Sequence, residues 1–178
     1  MKRSVLIPVV TIALSAAILF GASFALSGVA VENGRKEHLQ IMQTLLPGSE
    51  NFTVEHYTGE DANIVNVHKG ENGFVIETVT RGYVDDIRML IGVSNDGKVT
   101  GLVVRDMDET FGLGAQALTD ADFLAQFLNT SGEAAVGENV DALSGATVTS
   151  KAITRAVNSA VAYVTGADAS SGATSWGG

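Results

Sequence analysis

One stretch of this 178-residue chain brings together residue types and spacings suited to chemistry: Asp141-Ala142-Leu143-Ser144-Gly145-Ala146-Thr147-Val148-Thr149-Ser150. Small and hydroxyl residues run together just ahead of an apolar pattern. Val148, Ala152, Ile153, Ala156, Val157, Ala160, Val161 and Val164 recur at helical spacing, which predicts an amphipathic helix from about Thr149 to about Val164. Ser144, Thr147 and Thr149 then fall at or just before its first turn. Hydroxyls there cap free backbone N–H groups, and an anion there is favoured by the helix dipole. The residues alone leave both readings open, a plain cap or a phosphate site.

A second stretch, Glu109-Thr110-Phe111-Gly112-Leu113-Gly114, sets two glycines among a carboxylate, a hydroxyl and two apolar side chains. Gly112 and Gly114 permit positive φ and a close backbone approach to a flat ligand. An ordinary glycine turn between a strand and a helix would read the same way.

The elements that must position these residues are legible in order. Arg35 to Leu46 reads as a helix with Leu39, Met42, Leu45 and Leu46 on one stripe, stopped by Pro47-Gly48. Asn51 to Asp61 alternates weakly and reads as a strand or extended loop. Strands are predicted at Ile64–Lys69, Phe74–Thr80, Asp86–Val93 and Val99–Asp106. Gly70-Glu71-Asn72-Gly73 and Ser94-Asn95-Asp96-Gly97-Lys98 are the tight turns between them. Consecutive strands joined in this way imply an antiparallel meander with helices over one face, an α+β domain. Thr119 to Leu128 reads as a short helix capped by Thr119, with Asp122 three residues on and Phe123, Leu124, Phe127 and Leu128 on its buried face.

Ser144-Gly145-Ala146-Thr147, with Asp141 six residues before the threonine, resembles the flavin-attachment motif of the FMN-binding domain family. That family includes the G subunits of Rnf complexes and the C subunits of sodium-pumping NADH:quinone reductases. Ile91-Gly92-Val93 through Asp96-Gly97-Lys98-Val99-Thr100-Gly101 is similar to the family's strand–turn–strand unit. Gly82-Tyr83-Val84-Asp85 stands where the family has Gly-Tyr-Gly-Gly. Glu109 to Gly114 is similar to its Glu-Thr-Pro-Gly-Leu-Gly loop, with Phe111 in place of proline. The resemblance covers about Ile64 to Val164.

It implies FMN joined by a flavin transferase, with FAD as donor, through a phosphoester to Thr147. The implied cofactor-binding set is Thr147 with Ser144, Gly145, Ala146, Thr149 and Asp141, and Glu109, Thr110, Gly112, Leu113 and Gly114 from the loop. Glu109 and Thr110 are expected at polar flavin edges and Leu113 at a ring face. Lys151 is either a helper to the phosphate or a plain surface lysine. No catalytic residue and no metal is implied. The implied role is an electron relay within a membrane complex, with other membrane subunits as partners, moving electrons between ferredoxin and NAD coupled to sodium or proton translocation. The equivalent quinone-reductase subunit or another extracytoplasmic redox chain is the alternative. A membrane-anchored binding module whose motif only caps a helix is the non-redox alternative.

Ser4 to Val31 carries no charged residue, longer than the roughly 20 apolar residues that cross a bilayer. Lys2 and Arg3 ahead of it favour a cytoplasmic N-terminus and an extracytoplasmic flavin domain, single-pass in the cell membrane. A cleaved signal peptide ending near Gly28-Val29-Ala30 is the competing reading. The expected organisation is a head and transmembrane helix over 1–32, a helical stalk and connection over 33–63, an FMN-binding domain over 64–165 and a Gly/Ser-rich flexible tail over 166–178. The tail repeats the motif as Asp168-Ala169-Ser170-Ser171-Gly172-Ala173-Thr174, without a following amphipathic helix, so one flavin site at Thr147 is expected.

A net charge of −9 argues against nucleic acid, which calls for a basic footprint. The chain has no cysteine, hence no disulfide and no thiolate ligand for an iron–sulfur cluster. His38, His56 and His68 are scattered without ligand spacing.

Overall fold

The computed structural model describes residues 2–107, 109 and 114–167, with the side chains of 2–9 and 24–31 excluded. Thr110, Phe111, Gly112 and Leu113 of the glycine loop, and the second motif copy ending at Thr174, lie outside the described residues. The chain divides into two compact units after Gln40.

The first unit is the greater part of helix α1, Lys2–Leu45, 44 residues long. Ile12, Leu14, Ile18, Leu19 and Phe20 stand well exposed on it. Further along, Glu32 pairs with Arg35 at 2.9 Å and with Lys36 at 3.6 Å, one turn apart. The Arg35 guanidinium holds the Glu32 carboxyl below its ordinary value. Among the described residues no helix is long and apolar enough to cross a membrane.

The second unit begins inside the last turn of α1. Met42, Leu45 and Leu46 are buried there, on the stripe expected from the sequence. Pro47 and then Gly48, at φ 84°, end the helix where the sequence places its stop. Five strands follow in a strictly sequential antiparallel sheet: β1 Thr53–Glu55, β2 Ile64–Lys69, β3 Gly73–Arg81, β4 Asp86–Ser94 and β5 Val99–Asp106. β1 settles the ambiguity over Asn51 to Asp61. It is a three-residue edge strand paired Val54↔His68, too short to show a pattern on its own. β3 and β4 pair without a break from Gly73↔Ser94 to Arg81↔Asp86, which fixes the turn between them.

The sheet is covered on both faces. On one, Ile76, Ile87, Met89, Ile91 and Val93 form the main core with helix α3, Thr147–Thr165. Ala152, Ala156 and Ala160 on α3 are fully buried beside Ile153 and Val157. Small residues let the helix axis lie close to β3 and β4, and the two branched side chains contribute about 1.5–3 kcal/mol each by burial. On the other face, Gly92 and Gly101 lie against Leu45, and Thr100 donates its hydroxyl hydrogen bond to the Leu45 carbonyl. A Cβ at Gly92 would run into that carbonyl. Glycine is therefore needed there for close approach of the α1 end.

The short helix differs from expectation. α2 is Ala121–Ala125, and its cap is Asp120, whose carboxylate accepts from the Phe123 amide at 2.9 Å. Thr119 sits one position too early to reach that amide. Phe123 and Phe127 are buried and meet edge to face at 5.4 Å. Leu124 is half-buried, and Leu128 is 42% exposed because α2 ends after Ala125, turning Leu128 away from the buried face.

Candidate functional site

Helix α3 starts at Thr147, two residues earlier than the apolar pattern indicates. Gly145, at φ 72°, turns the chain sharply into it. Its N-cap is Ala146, and no side chain caps the first turn. Of the two readings, the plain cap is not met: Ser150 and Thr149 are bonded elsewhere, and Ser144 and Thr147 are exposed. Ser150 donates to the Ala146 carbonyl at 3.0 Å and accepts from the Leu143 amide at 3.0 Å. Thr149 is buried and donates to Glu109 Oε2 at 2.9 Å. Thr147 is exposed, and its hydroxyl makes no hydrogen bond among the described residues. Among the described residues the first amides of α3 thus have neither an intrahelical acceptor nor a side-chain cap, and such a helix end favours an anion.

That end forms one wall of a cleft of about 350 Å³, lined by Tyr83, Glu109, Gly114, Gly145, Ala146, Thr147, Val148 and Thr149. Six of these are expected from the sequence: Thr147, Gly145, Ala146, Thr149, Glu109 and Gly114. Glu109 and Gly114, the described residues of the glycine loop, therefore meet the motif in the fold although well separated from it along the chain. Glu109, however, does not present a free carboxylate. Oε2 accepts from Thr149, and Oε1 accepts from the Val84 amide at 3.1 Å. Its place is a buried strut between α3 and the β3–β4 turn. Gly114 is needed beside it, since a Cβ there would come within 2.6 Å of Thr149 Oγ1 and 2.8 Å of Glu109 Oε2.

Asp141 and Ser144 fall elsewhere. They line a neighbouring open cleft of about 460 Å³ with Asp120, Asp122, Gln116 and Gln126. Asp141 is held by its backbone: its amide donates to Gln126 Oε1 at 2.7 Å, and its carbonyl accepts from Gln126 Nε2 at 3.3 Å. Leu143, buried, lines this cleft as well, and Gly145, at φ 72°, turns the chain between Ser144 and Thr147. Lys151 is exposed one turn into α3. Sequence reasoning misses Tyr83 and Val148 as cleft residues. The apolar pattern assigns Val148 to the buried face, but it stands 37% exposed at the cleft. Val148 stands in the first turn of α3, where the helix borders the cleft.

The FMN-binding domain model matches residues 82–162, which contain the whole cleft. The G subunit of the ion-translocating oxidoreductase complex of Methanosarcina acetivorans is 34% identical over 145 residues, covering 72% of this chain and 76% of that protein. The chain belongs to this G-subunit family. Two further G-subunit relatives agree over shorter stretches. The one from the proton-translocating ferredoxin:NAD(+) oxidoreductase complex of Clostridium ljungdahlii is 37% identical over 52% of this chain and 53% of its own length. That of the Na(+)-translocating ferredoxin:NAD(+) oxidoreductase complex of Acetobacterium woodii is 34% identical over 50% of this chain. The chain spans about half the length of these two relatives, 53% and 47%. The residues present fit an FMN-binding domain: the cleft offers an exposed threonine hydroxyl, a helix end without a side-chain cap among the described residues, and an apolar lip at Val148 and Tyr83.

Proposed function

We propose that this G-subunit chain is the flavin-carrying electron relay of an ion-translocating ferredoxin:NAD oxidoreductase complex, with FMN esterified through its phosphate to Thr147. The observation that carries the reading is Thr147 itself: an exposed threonine hydroxyl with no hydrogen bond among the described residues, at a helix end without a side-chain cap among them, inside a cleft. FMN, when bound, supplies a ring that takes up and passes on electrons.

The chain's own groups supply the rest. During maturation Thr147 Oγ attacks the flavin-side phosphorus of FAD in the flavin transferase. A phosphoester bond forms, the pyrophosphate bond breaks, AMP leaves, and the hydroxyl proton passes to the transferase or solvent. The α3 amides would then hold the phosphate, an interaction worth about 0.3–1 kcal/mol at an exposed helix end. Gly145 and Gly114 keep the walls clear of side chains, and Glu109 fixes the distance between the walls. Thr110, Gly112 and Leu113 complete the loop next to Glu109 as expected ring contacts. Covalent attachment keeps the cofactor in place where no flavin pool would replace it.

The uncharged run from Ser4 to Val31, with Ile12, Leu14, Ile18, Leu19 and Phe20 exposed in its middle, supports a membrane anchor with the flavin domain outside the cytoplasm. The other subunits of the complex are its partners there. The test is direct: produce the full chain with a flavin transferase, denature it, and look for flavin fluorescence in the polypeptide band. A fluorescent band with a flavin phosphate mapped to the Thr147 peptide is expected. A colourless chain overturns the reading, and an adduct at Thr174 instead moves the site to the tail.

A further inference from the structure

Among the described residues, the turn between β3 and β4 is braced far more heavily than its exposure requires. The Gly82 amide donates to the Asp85 carbonyl at 2.9 Å, and the Val84 amide donates to the buried Glu109 carboxylate. Arg81 donates to the Val84 carbonyl at 2.7 Å and pairs with Asp85 at 3.2 Å. Gly82 packs so closely on Glu109 that a Cβ would collide with the carboxylate. All this fixes a turn whose central residue, Tyr83, is 69% exposed with no hydrogen bond or ring contact among the described residues.

Tyr83 lines the same cleft as Thr147, and Val84 beside it is 45% exposed. Val148 stands exposed on the α3 wall. The cleft is therefore polarised, with an anion-favouring helix end joined to apolar lips. A flat heteroaromatic carrying a phosphate has the same polarity. An aromatic left in water at such a place gains by being covered, and stacked or edge-on aromatic pairs contribute about 0.5–1.5 kcal/mol beyond simple burial.

We propose that Tyr83 is the aromatic wall of the flavin site, lying against the ring system tethered at Thr147 and keeping water from it. This rests on the flavin reading of Thr147. Tyr83 is a positioning residue: it forms no bond to the cofactor and leaves the attachment chemistry untouched.

The experiment uses the full flavinylated chain in detergent, comparing wild type with Tyr83→Ala and Tyr83→Phe. Two readouts are taken, flavin content of the denatured chain and iodide quenching of flavin fluorescence in the folded chain. Equal flavin content in all three is expected. Iodide quenching should rise several-fold in Tyr83→Ala and stay near wild type in Tyr83→Phe, which keeps the ring. Unchanged iodide access in Tyr83→Ala overturns the proposal while leaving the Thr147 assignment standing. Loss of covalent flavin in a Tyr83→Ala chain that melts normally also overturns it, marking Tyr83 as a surface the transferase reads. A wild-type chain without flavin removes both readings at once.

Discussion

At the residue scale the site depends on which hydroxyl is left over. Ser150 and Thr149 are bonded inward, whereas the Thr147 hydroxyl is exposed at the cleft with no hydrogen bond among the described residues. Thr147→Ala should therefore abolish covalent flavin while changing stability by no more than about 0.5 kcal/mol, as for other exposed sites without partners. Mass of the denatured chain and a thermal melt check both halves. Glu109 behaves in the opposite way. Glu109→Ala strands the Val84 amide and the buried Thr149 hydroxyl, which costs about 1–3 kcal/mol. With about 2–4 °C per kcal/mol for a chain of this size, the melting temperature should fall by several degrees even without flavin. Glu109→Gln, which keeps the shape and one acceptor, should lose less. An unaltered melt for Glu109→Ala would show that the strut is not needed.

At the element scale, one helix cap and one close approach position the elements. Asp120 caps α2 and Thr119 does not. Asp120→Ala should cost about 1 kcal/mol and Thr119→Ala close to nothing, as measured by chemical denaturation. The reverse order would restore the assignment made from the capping-box spacing. Gly92 admits the α1 end onto the sheet, so Gly92→Ala forces Leu45 and the strand apart. A loss of about 1–3 kcal/mol is expected, with flavin attachment at the far face of the sheet retained in whatever fraction stays folded. The helices and four strands are legible because each is a run of residues with its own period and its own stop. β1 is not, since its three residues are held by pairing with β2 and by the Tyr163 hydroxyl, which donates to Glu55 at 3.1 Å.

At the scale of the whole molecule, that same Tyr163 ties the end of α3 to the sheet edge. It meets Tyr57 and Phe74 edge to face at 5.8 Å and 5.6 Å. Burial, and then the Glu55 carboxylate, push its phenol above the ordinary value of 10.0. The folded chain thus holds this proton more tightly than the unfolded chain does. The resulting stability is fully present below about pH 10 and is lost as pH rises through the raised folded value. Melting temperature should fall more steeply above about pH 10 in wild type than in Tyr163→Phe; parallel curves would remove Tyr163 from the alkaline limb.

The sequence by itself determined the periodic parts: the long apolar run at the start, the meander, the amphipathic last helix, and the small-residue motif ahead of it. These follow from local spacing, which any chain with the same pattern would share. Tertiary structure decided where the separated pieces meet. It put Glu109 against Thr149 and Val84, turned Asp141 and Ser144 into a different cleft from Thr147, and set Tyr83 across from the helix end. Those outcomes depend on how a helix starts within one or two residues and on which donors are already taken, and neither is written in spacing along the chain.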